Sequence, residues 1–433
     1  MKLLHANDFA GKHAPSWYQA TCNAPTYPEL TKDTSCDVCV IGAGYTGLST
    51  AIHLIKQGFS VTVLDAHRVA WGASGRNGGQ LGSGFNLDQF ELERQYGVAH
   101  AHALWHLSER AKRTLHQLCK EHNIDAQYKP GIIAAMHRPR LVGYEQRYCD
   151  MMASKYNYQE YEVLTKAQLQ DLVDSPGYHG GRIDHGAGHI HPLELGIGLG
   201  KTASELGVSV HEMSSVIAIQ RKPRTDPVVK TAKASVRAAN IVWACNGYLD
   251  GLEPAVQKRV MPINNFIIAT EPLSSRGESL LPQDHAVFDS RFAVNYFRLS
   301  SSKRLLFGGG ETYGYRFPKD ITALVRKPML EVFPQLHNVR IDYAWGGTLA
   351  ITRSRLPFVR KVKPHVYAAS GYSGHGVALS IEAGRIIAKA IGGDTKDLDI
   401  LNTLVCRRFP GGFSTRSILL KGAMSWYALR DKF

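Results

Sequence analysis

Residues 36–79 read CDVCVIGAGYTGLSTAIHLIKQGFSVTVLDAHRVAWGASGRNGG. A short apolar run leads into Gly42-x-Gly44-x-x-Gly47 at the start of a helical pattern, and a second apolar run, Val61 to Leu64, ends at Asp65. Strand, glycines, helix, strand and acid in that order are the fingerprint of a dinucleotide-binding βαβ unit. One glycine allows the tight turn, one lets the backbone approach a pyrophosphate, and one lets the helix pack close to the strand. Phosphates would sit on the free N–H groups at the helix N-terminus, where the dipole favours negative charge. Asp65 stands where a carboxylate accepts hydrogen bonds from a ribose diol. Tyr45, Thr46 and Ala66, in the same turns, belong to the same candidate site.

The composition surrounding this unit is that of an ordinary globular protein, with 44% hydrophobic and 20% charged residues. Its 433 residues leave room for two or three packed cores at about 150 residues each. No run reaches the roughly 18 apolar residues of a membrane helix. The opening MKLLHANDFAGKHAPSW lacks the apolar core of a secretory signal, so a cytoplasmic location and no integral membrane segment are expected. Seven scattered cysteines argue against a disulfide framework. Cys36 and Cys39 fall on the first strand as small core residues. The net charge is +14, but the basic residues are dispersed and form no nucleic-acid motif. A positive field that attracts a phosphate-rich cofactor or a carboxylate substrate is the milder account, and no nucleic-acid partner is expected.

Residues 1–35 are polar and broken by prolines: either an arm laid over the body and anchored by Trp17 and Tyr18, or a disordered lead. Helical spacing predicts one or two long helices over 88–123 and more helix over 140–173, with strand, turn and strand over 126–137. The glycine-rich stretch from Gly180 turns helical at Pro192, a favourable helix start. Gly200-Lys201-Thr202 resembles the end of a phosphate loop but lacks its upstream glycine and lies inside a helical pattern. His185, His189 and His191 have no acidic or cysteine partners at ligand spacing, so no metal site is expected, although a site-lining role for His189 or His191 stays open. Strands are expected over 208–216 and 233–244, the latter running into Cys245-Asn246-Gly247. Residues 260–310 alternate with turn residues between the runs, which points to an antiparallel sheet. A last strand enters the turn Gly371-Tyr372-Ser373-Gly374-His375-Gly376, and a helix follows.

The expected fold is therefore α/β, or α+β taken as a whole. A Rossmann-like cofactor domain built from 36–87, 180–255 and 340–433 would interleave with an antiparallel-sheet substrate domain built from 88–179 and 256–339.

VIGAGYTGLSTAIHLIKQGFSVTVLDA, GASGRNGGQ and ASGYSGHGV resemble, in sequence and order, the flavin-dependent D-amino-acid oxidase superfamily. Together with Gly188-His189-Ile190-His191-Pro192-Leu193, RLLFGGG, FPQL, IDYAW and FPGG they are most similar to its gamma-glutamylputrescine oxidases. The resemblance implies FAD, with Gly42, Gly44 and Gly47 on the pyrophosphate and Asp65 on the adenosine ribose. Val216 would offer backbone groups to the adenine. Ala73, Ser74, Gly75, Arg76, Asn77, Gly78 and Gly79 would follow the cofactor toward its flavin end. Gly247, Gly371, Ser373, Gly374, His375 and Gly376 would complete the cradle. Some relatives carry a flavin-linking cysteine, which has no counterpart around Trp345 to Thr348, so the FAD is expected to be non-covalent.

The implied reaction is oxidation of a C–N bond in a small-molecule amine, with His375, Arg76 and Tyr372 as catalytic candidates and Tyr296 and Arg298 as further pocket residues. Sarcosine-type relatives place a lysine for the substrate carboxylate where this chain has Ala378, which favours an amine with a remote carboxylate, such as a gamma-glutamylated amine of polyamine catabolism. A second lysine, which speeds reaction with O2 in those relatives, is missing from Arg304 to Gly310. The electron acceptor is thus O2, giving H2O2, or alternatively a quinone served by a D-amino-acid or sarcosine-type dehydrogenase. In that alternative the basic, amphipathic RSILLKGAMSWYALRDKF would be the membrane face.

Overall fold

The computed structural model describes residues 3–7, 9 and 11–410, and two sheets organise them. The first has eight strands. Its centre is Thr34–Ile41, flanked in parallel by Val61–Leu64 on one side and Ser235–Trp243 on the other. Ser209–His211 and Val366–Ser370 extend it in parallel outward, and Phe358–Lys363 closes one edge antiparallel. Val38 and Val40 enter one apolar cluster while Cys39 and Ile41 enter another, so the strand is buried on both faces. A parallel sheet covered by layers on both sides needs that unbroken apolar pattern. Helices Tyr45–Ile55, Val98–Glu121 and Val377–Ile391 pack together on the Val38 and Val40 side through Leu48, Ile52, Leu104 and Ile387.

The second sheet has nine strands and is antiparallel except where Ala286–Asp289 runs alongside Lys129–Ala135. Its own core is aromatic, with Phe266, Phe297, Phe307 and Phe333 under the helix Ile321–Val332. The architecture is thus mixed α/β, a Rossmann-like sheet interleaved with an antiparallel one.

Apart from the two-residue strand Gln80–Leu81, inside 36–87, which also pairs into the second sheet, sheet membership departs from the expected segments at two places. Gly181–His189, inside 180–255, pairs with Lys129–Ala135 and Tyr161–Leu164 in the second sheet. Ile341–Ile351, inside 340–433, pairs along the whole of Met261–Thr270. The first departure has a local cause. A Cβ at Gly181 would lie 2.0 Å from the Ala134 carbonyl oxygen, and one at Gly188 would lie 2.4 Å from that of Lys129. Glycine in a strand marks close approach of another backbone, and it also erases the alternation by which strands are recognised. The helix expected over 140–173 is likewise broken. Asn157 stops Pro139–Tyr156 in the left-handed conformation at φ 51°, and the strand Tyr161–Leu164 intervenes.

The N-terminal segment lies on the body. Ser16 caps the short helix Trp17–Thr21, and Trp17 and Tyr18 are buried. Tyr18 donates to the Asn77 carbonyl oxygen at 2.9 Å and accepts from Arg298 at 3.3 Å. The amphipathic C-terminal stretch lies outside the described residues. Among the described residues no helix is long and apolar enough to cross a membrane.

Candidate active site

The fingerprint turn is built around its glycines. Gly42 has φ 108°, and a Cβ there would lie 2.6 Å from the Ala244 carbonyl oxygen. At Gly47 a Cβ would fall 1.8 Å from the Gly42 carbonyl oxygen, so only glycine lets the helix sit this close. Gly44 is the N-cap and contributes no side-chain hydrogen bond, while Ser74 accepts from the Tyr45 N–H at 3.1 Å. This helix end opens into a cavity of about 1020 Å³. Asp65 stands at the end of its strand on the cavity wall, with Ala66 beside it. Its carboxylate accepts from Ala43 N at 2.7 Å and His67 N at 2.8 Å. Burial pushes the Asp65 carboxyl up, and these two N–H groups pull it back toward the charged form.

The cavity continues along Ala73, Ser74, Arg76, Asn77, Gly78 and Gly79. Asn77 stiffens this loop by donating to Ala73 O and Ser74 O and by accepting from Gly79 N at 2.7 Å. Arg76 is buried and donates to Trp71 O at 2.7 Å, its guanidinium 4.1 Å from the centre of the Trp71 ring. Trp345 in turn donates to Arg76 O at 3.1 Å. Arg76 therefore braces the loop as well as lining the cavity.

The glycine-rich turn after Ser370 forms another stretch of the wall. Tyr372, Ser373, Gly374, His375 and Gly376 all line the cavity. The Tyr372 hydroxyl is within 2.7 Å of Thr46 Oγ1, so it ties this turn to the first turn of the fingerprint helix. His375 lies against Gly82, where a Cβ would come within 2.8 Å of the ring. Burial depresses its pKa, opposed by the Gly82 and Gly84 backbone, which favours the neutral imidazole. Its Nε2 is buried without a hydrogen-bond partner among the described residues.

Not every expected residue reaches the cavity. Gly47, Gly75, Gly247 and Gly371 lie behind its wall as packing positions; Gly371 N, for example, donates to Asn246 Oδ1 at 3.0 Å. Val216 does line the cavity, but from a connecting segment, because its strand stops at His211. Arg298 is turned away and donates to Gly78 O at 2.8 Å. His189 bonds Asp284 O at 2.8 Å, and His191 caps the helix Pro192–Glu205 by accepting from Glu194 N. Neither histidine lines the cavity.

Sequence reading missed a polar wall from the second sheet: Asn265, Glu311, Arg182 and Asp184, with Arg355 from a turn. Arg182 and Asp184 are two apart on one strand and so share a face, a signal hidden while that stretch read as a glycine-rich loop. Also missed was His67, which stacks on Trp71 with centroids 3.9 Å apart.

A helix N-terminus whose N-cap residue has no side chain, a small-residue track and a second glycine turn, all lining one cavity, fit an extended dinucleotide such as FAD. The model of the family DAO: FAD dependent oxidoreductase matches residues 37–390. The chain is 39% identical over 426 residues to gamma-glutamylputrescine oxidoreductase of Escherichia coli K12, covering 97% of this chain and 99% of that protein. It is 41% identical over 419 residues to the probable oxidoreductase OrdL of Rhizobium meliloti, covering 96% and 97%. The glycine oxidase structure from Geobacillus kaustophilus superposes with a TM-score of 0.70 at 20% identity, covering 87% of this chain and all (100%) of that one. The fingerprint, the fold and these full-length matches agree that the chain is an enzyme of the FAD-dependent oxidoreductase family, with FAD as its cofactor.

Proposed function

We propose that this enzyme oxidises the C–N bond of a gamma-glutamylated amine, gamma-glutamylputrescine or a close analogue, with O2 as acceptor and H2O2 as product. The full-length similarity to the Escherichia coli gamma-glutamylputrescine oxidoreductase carries this reading. Two features of the chain support it. Ala378 leaves the first turn of the helix Val377–Ile391 without a cation for a carboxylate next to the reacting carbon. Arg182 and Asp184, already engaged by Glu145 and Tyr158 respectively, add a polar wall to the cavity that suits a polar amine over an apolar one.

FAD, when bound, supplies the hydride acceptor. The protein's own work is to bind, orient and desolvate. Gly42, Gly44 and Ser74 would hold the pyrophosphate on the helix end, Asp65 the ribose, and the backbone around Val216 the adenine. The braced loop from Arg76 to Gly79 and the turn from Tyr372 to Gly376 would fix the flavin end, with His375 as a neutral hydrogen-bonding group. We assign Tyr296 to the substrate side, where its ring lies against Gly78 and its hydroxyl bonds Asn265.

Anaerobic mixing with gamma-glutamylputrescine, putrescine, sarcosine and D-alanine tests the substrate. Rapid bleaching of the flavin band by the first compound alone is the expected result, and bleaching only by sarcosine or D-alanine would overturn it. Oxygen uptake matched by H2O2 is expected for an oxidase, whereas reduction of a quinone or dye without H2O2 would make it a dehydrogenase.

A further inference from the structure

Five carboxylates line the cavity, Asp65, Asp88, Glu91, Asp184 and Glu311, and four are already committed. Asp65 accepts from two backbone N–H groups. Asp88 accepts from Glu91 N at 2.8 Å and from the Tyr144 hydroxyl. Glu91 is ion-paired with Arg94. Asp184 accepts from the Tyr158 hydroxyl at 2.7 Å and from Gly186 N at 3.1 Å. Glu311 has no ion-pair partner within 4.0 Å among the described residues; the Tyr313 hydroxyl donates to its Oε2 at 2.9 Å and orients it. It pairs across the sheet with Asn265, whose side chain takes the Tyr296 hydroxyl. Tyr296 in turn lies on Gly78, at the flavin end of the loop, with its ring 2.6 Å from where a Cβ at Gly78 would be. This carboxylate is thus one cross-strand step from the tyrosine that covers the reacting end.

We infer that Glu311 receives the substrate ammonium and takes its proton: one N–H bond breaks, a carboxylic O–H forms, and the lone pair left on nitrogen is what C–H cleavage requires. The inference rests on the amine-oxidation reading above. The titratable and charged groups facing Glu311 are Tyr313 just past the end of its strand, Tyr296 on the neighbouring strand, and Arg355. Burial raises its proton affinity, while Tyr313 and Arg355 lower it. The result is a carboxylate more ready to accept a proton than an exposed one.

The test is anaerobic flavin reduction in Glu311→Gln as a function of pH, using the amine set above. A loss of about 100-fold is expected near pH 7. Recovery toward the wild-type rate is expected near about pH 10, where a free alkylamine loses its own proton. Glu311→Asp should restore part of the rate near pH 7, and Glu311→Gln should keep its flavin absorbance. A readout without turnover uses the trimethylammonium analogue of the substrate, which has no lone pair to release. Its binding, followed by the shift of the flavin spectrum, should weaken about tenfold in Glu311→Gln. A pH profile and an analogue affinity both equal to wild type would overturn the inference. If gamma-glutamylputrescine leaves the wild-type flavin oxidised but another amine reduces it, the substrate reading falls and Glu311 is judged on that amine. If no amine reduces the wild type, both fall.

Discussion

A methyl group on residue 47 would overlap the Gly42 carbonyl oxygen, 1.8 Å away, with rigid backbone on both sides. Gly47→Ala should therefore cost about 3 kcal/mol or more, at or beyond the upper end of overpacking costs, and yield protein depleted of FAD, seen as a lowered Tm and a lowered ratio of flavin to protein absorbance. Gly58→Ala is the control: it shares a positive φ, 87°, but has open space around it, so only backbone strain of about 1–2 kcal/mol is expected and the flavin should stay. Two buried histidines make a different prediction. Burial depresses His189 and His191 from 6.5 to about 3, with the Arg298 guanidinium adding to the effect. Between those limits the unfolded chain binds protons that the folded chain does not, so stability is fully present above about pH 6.5 and falls as pH drops toward 3. Well inside that window each histidine costs about 1.4 kcal/mol per pH unit. Thermal unfolding from neutral to mildly acidic pH should show this slope, and His191→Gln should flatten part of it.

Between elements, the bond from Tyr372 to Thr46 joins the two glycine turns that line the cavity. Tyr372→Phe should lower stability by about 1–2 kcal/mol, because it strands a buried hydroxyl, while leaving the rate of flavin reduction within severalfold of wild type. A collapse of the rate with unchanged Tm would instead give Tyr372 the chemical role first expected of it. The same scale explains what was readable. Thr34–Ile41 and Tyr45–Ile55 were evident because their apolar pattern and glycines are local. Ile341–Ile351 carries no mark of its partner, which lies about 80 residues away in sequence at Met261–Thr270, and pairing at that distance is decided by the assembled sheet. The cavity wall shared this fate: glycine motifs announce a cofactor, but Asn265, Glu311, Arg182 and Asp184 become a set only when strands from separate segments align.

Across the whole molecule, one ion cluster holds the helix Val98–Glu121 to the helix Val377–Ile391. Glu382 is fully buried and accepts from Arg110 at 2.6 Å, from Thr114 at 2.8 Å and from Arg385 at 2.6 and 2.8 Å. Asp397 balances both arginines. Removing the carboxylate leaves two partly buried cations facing each other, so Glu382→Ala should lower stability by about 3–5 kcal/mol in thermal or urea unfolding. Sequence could suggest that both helices exist but not that they share a carboxylate. The arm at the other end of the chain enters the site itself. Leu4 is part of the cavity wall, His67 bonds its carbonyl oxygen at 2.9 Å, Trp71 donates to Lys12 O at 2.9 Å, and Tyr18 is fastened to the loop at Asn77. Bound FAD would thus be held partly by a strap that also lends Ala14, Trp17 and Tyr18 to the main core. The residence time of the cofactor should then follow the opening of that strap: a chain lacking its first 22 residues, diluted into flavin-free buffer, should release FAD fluorescence about tenfold faster or more, as expected where local opening rather than global unfolding sets the rate. Unchanged release would mean the strap covers the cofactor without retaining it.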